Sequence, residues 1–160
     1  MNKRDIIDYV TEELSFEEQG IALDFVYYIK SNEMEFIKDN GYWKDKIYYM
    51  IKFNTEFVCF IAIKDPDEKD NHWTVWSDDM ESISLEDYPI DKELKEIAWN
   101  HVDGCGNCGS CSGGRRKVIF GKEFDKVCGC TFRIDNPTIG YLQFMEKMVE
   151  IRKKEILKIL

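Results

Sequence analysis

Lys46-Ile47-Tyr48-Tyr49-Met50-Ile51-Lys52-Phe53, then Asn54-Thr55-Glu56, then Phe57-Val58-Cys59-Phe60-Ile61-Ala62-Ile63, is the stretch that decides the fold. β-Branched and aromatic residues fill both runs and a short polar break parts them, the pattern of two antiparallel strands joined by a hairpin. Both runs are apolar on two faces, so the sheet they begin requires a helical cover on at least one side.

Working outward, the cover is found on both flanks. Upstream, Ser15-Phe16-Glu17-Glu18 fits a capping box, in which the serine hydroxyl accepts from the amide three residues on while Glu18 reaches back. Ile21, Phe25, Tyr28 and Ile29 then recur at helical spacing, and Asn40-Gly41 signals a turn. Downstream, 65–71 is a polar turn and Trp73-Thr74-Val75-Trp76 a third strand. From Asp91 the stripe Leu94, Ile97, Ala98, His101 predicts a helix. Lys117-Val118-Ile119-Phe120 and Cys128 to Ile134 read as further strands. Asp135-Asn136-Pro137 has the form of a helix start, a cap followed by proline at the first helical position. The last helix places Leu142, Met145, Met148, Val149 and Ile156 inward, with Arg152-Lys153-Lys154 suited to its C-terminal dipole. The expectation is an α+β fold: a curved antiparallel sheet packed by N-terminal and long C-terminal helices, in one domain over 1–160. A cysteine-rich loop at 102–130 is inserted in it.

The 160 residues include four Trp, eight Tyr and ten Phe but only three Pro, a globular composition able to bury a core. No run approaches the ~18 apolar residues of a membrane span, and the N-terminus lacks the apolar stretch of a signal peptide. The expected compartment is cytoplasmic, where thiols stay reduced and clustered cysteines favour metal over disulfide. The net charge is −9, and residues 1–45 hold five bases against eleven acids, whereas 101–160 hold eleven bases against seven acids. The whole-chain balance disfavours nucleic acid as partner, leaving a nucleic-acid or protein adaptor role only for the basic C-terminal third.

Chemistry concentrates in the cysteines. Cys105, Cys108 and Cys111 stand at three-residue spacing, and Cys128 and Cys130 follow. Cys105-x2-Cys108 before Gly109 resembles a zinc-knuckle turn, so the candidate metal ligands are Cys105, Cys108, Cys128 and Cys130, with Cys111 or His101 as substitutes. Free thiols, or an adventitious disulfide, in a glycine-rich loop are the alternative reading. Cys128-x-Cys130 is the irregular half: on a straight strand the two side chains share a face roughly 6.5–7 Å apart, so a bend at Gly129 is required. Zinc is the expected cofactor. An iron–sulfur cluster matches less well, because Ser112-Gly113-Gly114 stands where a ferredoxin carries its Cys-Pro ligand. Cys59, inside a strand, reads as core.

Arg115, Arg116 and Lys117 after Gly113-Gly114 form a candidate anion site and would offset thiolate charge, without the ending of a P-loop. Asp78 and Asp79 are paired acids after a strand, more often a solvated turn than a catalytic pair. His72 reads as solvated, and Trp43, Trp73, Trp76 and Trp99 as packing residues before pocket residues.

Thr131-Phe132-Arg133-Ile134-Asp135-Asn136-Pro137, then Leu142, Met145, Val149 and Arg152-Lys153-Lys154-Glu155, resembles the ending of YdhG-like bacterial domains, and the hairpin at 46–63 after a helix is similar too. The resemblance implies a small α+β domain with a curved antiparallel sheet backed by helices. Members of that family are mostly uncharacterised, some being discussed as frataxin-like iron handlers. The cysteine module lies outside the family's pattern, so no functional residue carries over. The leading expectation is a non-enzymatic binding or interaction domain, for an unidentified small molecule or protein, with a structural zinc-type cluster. An iron-handling or Fe–S redox protein is the alternative.

Overall fold

The computed structural model describes residues 4–39, 46–78, 84–106 and 113–159. Two helices open the chain, α1 Ile6–Glu13 and α2 Phe16–Ser31. Both begin in capping boxes: Asp5 with Asp8 for α1, which the sequence reading did not mark, and Ser15 with Glu18 for α2, as the sequence predicts. Four strands follow, β1 Glu35–Lys38, β2 Ile47–Phe53, β3 Glu56–Ile63 and β4 Trp73–Ser77. A 3₁₀ turn at Ser84–Glu86 precedes helix α3 Lys92–Asn100. Strands β5 Val102–Gly104, β6 Arg115–Ile119 and β7 Lys122–Asp135 lead to the long helix α4 Ile139–Leu157. The strands form one antiparallel sheet in the order β1-β2-β3-β4-β7-β5, with β6 paired to β7. The α+β architecture with N- and C-terminal helices is therefore the observed one. Among the described residues no helix is long and apolar enough to cross a membrane.

The hairpin carries the architecture. Its turn is Asn54-Thr55, both at positive φ (49° and 69°), the conformation whose twist matches paired strands. Strand alternation then sorts the side chains. Tyr49, Ile61, Val75 and Ile134 are cross-strand partners in one row, and all are buried. That face packs on α1, α2 and α4 through Ile6, Val10, Phe25, Ile29, Phe144 and Met148. In the neighbouring row on the opposite face, Met50, Phe60, Trp76 and Arg133 are partners, and all are only half-buried. The helices cover one face, and aromatic side chains shield the other from each strand's neighbour.

Three sequence expectations need correction. The edge strand β1 and the short β5 were not anticipated, because four- and three-residue strands are too short to show a period. The stretch 102–130 is not all loop: β5, β6 and most of β7 fall within it. Finally, α4 is preceded by Thr138 as its cap, later than Asp135-Asn136-Pro137 suggests. Asn136 is otherwise engaged: its Oδ1 accepts from the His72 amide (2.6 Å) and its Nδ2 donates to the Asp70 carbonyl (3.1 Å). Asn136 ties the end of β7 to the 65–72 turn and has no capping group left to give. Asn40-Gly41 lies outside the described residues.

Candidate functional site at the bulge of β7

A fourteen-residue strand cannot serve three neighbours without bending, and β7 bends in the cysteine segment. Its second half pairs with β4 and its first half with β6, while β5 runs along the other edge. On β5, Val102 pairs with Phe132 but Gly104 pairs with Val127. Two steps along β5 thus span five along β7, and the excess falls on Cys128-Gly129-Cys130-Thr131. Thr131 sits at φ 64° and Lys126 at φ 54°, left-handed residues bracketing the bulge. The register irregularity lies between Val127 and Phe132, and the left-handed residue in it is Thr131, not Gly129.

The bulge is fastened from outside. Ser77, buried at the end of β4, donates through Oγ to the Cys130 carbonyl (2.5 Å) and accepts from the Phe132 amide (3.2 Å). Lys117 of β6 donates to Thr131 Oγ1 (2.7 Å). Asp103 of β5 lies opposite the excess residues. Cys130 lies near Cys128, and Cys128 near the Asp103 carboxylate. Cys128-x-Cys130, the irregular half of the motif, falls in the irregular stretch of β7, with both cysteines partly buried.

Burial, then the neighbouring Cys128, Asp78 and Asp103, pushes the Cys130 thiol well above its ordinary range, so it is protonated at neutral pH. Burial likewise raises the Asp103 carboxyl, helped by Asp135 and Glu68 and opposed by Arg133 and the Cys128 hydrogen bond. Burial raises Tyr48 too, with Cys130, Asp39 and Asp78 adding to it, so this phenol and Asp78 border the thiols on the open face.

Cys105 lies just beyond β5, its amide donating to the Lys126 carbonyl (2.7 Å). It also marks where the cysteine segment leaves and returns. A Cβ placed on Gly114 would lie 2.7 Å from Cys105 Cβ and 2.8 Å from the Lys126 backbone, a close approach open only to glycine. Cys108, Cys111 and Asp79 lie outside the described residues. Among the described residues no three His, Cys, Asp or Glu side chains are gathered as metal ligands.

No family model, curated protein or solved structure matches this chain.

The remaining candidates are dispersed. His101 caps α3, its Nδ1 2.8 Å from the Ile97 carbonyl and its ring edge-on to Tyr141 of α4 at 4.8 Å. Arg115, Arg116 and Lys117 begin β6, where the pairing with β7 is irregular between Arg115 and Lys117. Arg116 forms a two-pronged pair with Glu123 (2.5 Å each), and Lys117 faces Thr131. Elsewhere in the basic third, Arg133 binds Glu68 and Asp135, and Lys147 and Lys154 both bind Glu150. Cys59 and Trp73 are core residues. Trp99 Nε1 donates to the Ile119 carbonyl (2.7 Å), and Trp43 is outside the described residues. His72 Nδ1 is 2.7 Å from Glu18 Oε2, linking the 65–72 turn to α2.

Sequence reasoning missed two parts of this region. Asp103 had no motif to mark it, since its role comes from the β5–β7 register. The same-face cluster of Tyr48, Phe60 and Trp76 also depends on register: Tyr48, diagonal to Phe60, stacks with it at 6.0 Å and meets Trp76 edge-on at 6.1 Å, while the Arg133 guanidinium lies 5.1 Å from the Trp76 ring centre.

Proposed function

We propose that this chain is a non-enzymatic binding module in which the thiols Cys105, Cys108, Cys128 and Cys130 hold a soft divalent metal of the zinc type. The observation that supports it is the β7 bulge, which places Cys128 and Cys130 opposite Asp103 with Cys105 at the adjoining strand end. Zinc takes four thiolates tetrahedrally, and a site filled by protein ligands leaves no open position for an activated water, so the role is structural. Since the described thiols Cys105, Cys128 and Cys130 are not gathered around one point, binding must draw Cys105 toward the 128–130 pair. The metal thereby fastens the cysteine segment to β5 and β7. Protonated Cys130 must lose its proton on binding, so uptake releases acid and strengthens as pH rises.

The test is zinc titration of protein purified without chelator. The expected outcome is near one equivalent of zinc with four thiols shielded from a thiol reagent, and a large loss of affinity in Cys105→Ala. Less than about a tenth of an equivalent, with all thiols freely titratable, overturns the reading. Visible absorbance near ~400 nm in anaerobic preparations would transfer it to an iron–sulfur cluster.

A further inference from the structure

We propose that the sheet face opposite the helices binds a small quaternary ammonium ion on the rings of Tyr48, Phe60 and Trp76. The thiols take no part, so the inference stands apart from the metal reading. Met50, Phe60, Trp76 and Arg133 form one cross-strand row, and Tyr48 precedes Met50 on the same face of β2. The Tyr48 ring lies nearly parallel to Phe60 (9° between planes, centres 6.0 Å apart) and at 60° to Trp76 (6.1 Å), so phenol and indole form a corner. All three rings are half-buried, held by their neighbours with part of each surface exposed. Trp76 already meets one cation, the Arg133 guanidinium 5.1 Å from its ring centre, through the attraction of a ring's negative face for positive charge.

Charge selects the sign of the ligand. Among the described residues each base on this face has its own acid: Arg133 pairs with Glu68 and Asp135, Lys46 with Asp65 and Asp67, and Lys52 stands opposite Glu35. Two further carboxylates border the rings. The Asp39 amide donates to the Tyr48 carbonyl (3.0 Å), so Asp39 continues the β1–β2 ladder opposite Tyr48 and shares its face. Asp78 follows Trp76 by two residues, its amide donating to the Val58 carbonyl (3.1 Å), and by alternation lies on the indole's side. Burial, then Cys130, Asp39 and Asp78, raises the Tyr48 phenol, in keeping with carboxylates beside its ring. The face is therefore acidic, unfavourable to phosphates and carboxylates and favourable to a cation. Ring faces suit an ammonium clad in methyl groups, which has no N–H to satisfy. With Phe60 and Trp76 centred 6.0 and 6.1 Å from Tyr48, the patch matches one small ion rather than a chain.

The test is choline titrated into the full chain after chelator treatment, read by calorimetry and by saturation transfer to the trimethylammonium protons. The uncharged alcohol in which carbon replaces the choline nitrogen is run beside it. Expected is saturable binding of choline at about 1 mM or tighter, with the alcohol about tenfold weaker. Asp78→Asn should weaken choline and leave the alcohol unchanged, a split that general loss of structure does not produce. Trp76→Leu should weaken choline about tenfold with the far-UV circular dichroism retained. If that variant does not fold, wild type and Asp78→Asn decide. No saturation by about 50 mM choline, or equal affinity for choline and the alcohol, overturns the proposal. So does choline binding undiminished in Asp78→Asn, or binding to phosphatidylcholine vesicles without binding of free choline. Because chelator removes metal first, a protein that never binds zinc can still bind choline, and one that binds zinc can fail to.

Discussion

Ser77 occupies the point where β4 and β7 would otherwise part. Its hydroxyl answers a carbonyl and an amide that the bulge has pulled out of the ladder, in a buried position. Ser77→Ala removes both partners at once, and a buried polar group left unpaired costs about 1–3 kcal/mol. The expected loss in urea-unfolding free energy lies in that range. A change under about 0.5 kcal/mol, the level of an ordinary surface substitution, would mean the bulge does not depend on this hydroxyl. Gly114 is the other residue on which the site's shape turns. In Gly114→Ala the new methyl meets Cys105 Cβ and the Lys126 backbone, none of which is the free end of a flexible chain. Overpacking of this kind costs about 1–3 kcal/mol, measurable in the same assay, and should alter the rate at which a thiol reagent labels Cys105. Unchanged stability and labelling would mean that Gly114 does not pack on Cys105.

At the scale of elements, legibility followed pattern length. The hairpin, α2, β4 and α3 carry enough periodic residues, or a capping signature, to be read directly. By contrast β5 has three residues, and its existence depends on what β7 presents to it. The same dependence hid Asp103 and the Tyr48–Phe60–Trp76 cluster, since cross-strand neighbours are set by register, which one strand's sequence does not contain. The cysteine pair was half legible: its spacing demanded a bend, but the left-handed residue proved to be Thr131, a β-branched side chain in a conformation usually left to glycine or asparagine. Where the capping signature was legible it also bears on pH. Burial alone would raise the Glu18 carboxyl, but hydrogen bonds with His72 and with the Ser15 hydroxyl and amide hold it below the ordinary glutamate value. A carboxylate with a depressed folded pKa adds stability that is complete above its unfolded pKa of about 4.3 and is lost as pH falls through the folded value. Glu18→Gln should therefore be less stable than wild type at neutral pH, and the gap should close below about pH 4. A gap that stays flat down to pH 3 would show that the charge contributes nothing at the start of α2.

At the scale of the molecule, the thiol site and the core are separate. The buried core runs through α1, α2, α3, α4 and the helix-covered face of the sheet, and it includes Cys59 but none of Cys105, Cys128 or Cys130. A cavity of about 20 Å³ between the sheet and α2 and α4 is room for no more than a single water, so that interface is closed rather than ligand-bearing. A 160-residue chain buries about two thirds of the surface exposed by its unfolded form, enough to fold without a metal staple. The dependence should therefore differ from that of a zinc finger, where the metal supplies the folding free energy. Removing metal with chelator is expected to leave the far-UV circular dichroism of the helices unchanged. Hydrogen exchange should quicken in β5, β6 and the Lys122–Cys130 half of β7, while amides of β2, β3, α2 and α4 keep their protection. Those amides open only with the global transition because they sit on the core, whereas the bulge is fastened by Ser77 and Lys117. Cooperative loss of the helical signal on chelation would place the metal among the determinants of the fold. Exchange unchanged in β5–β7 would mean that nothing bound there fastens the segment.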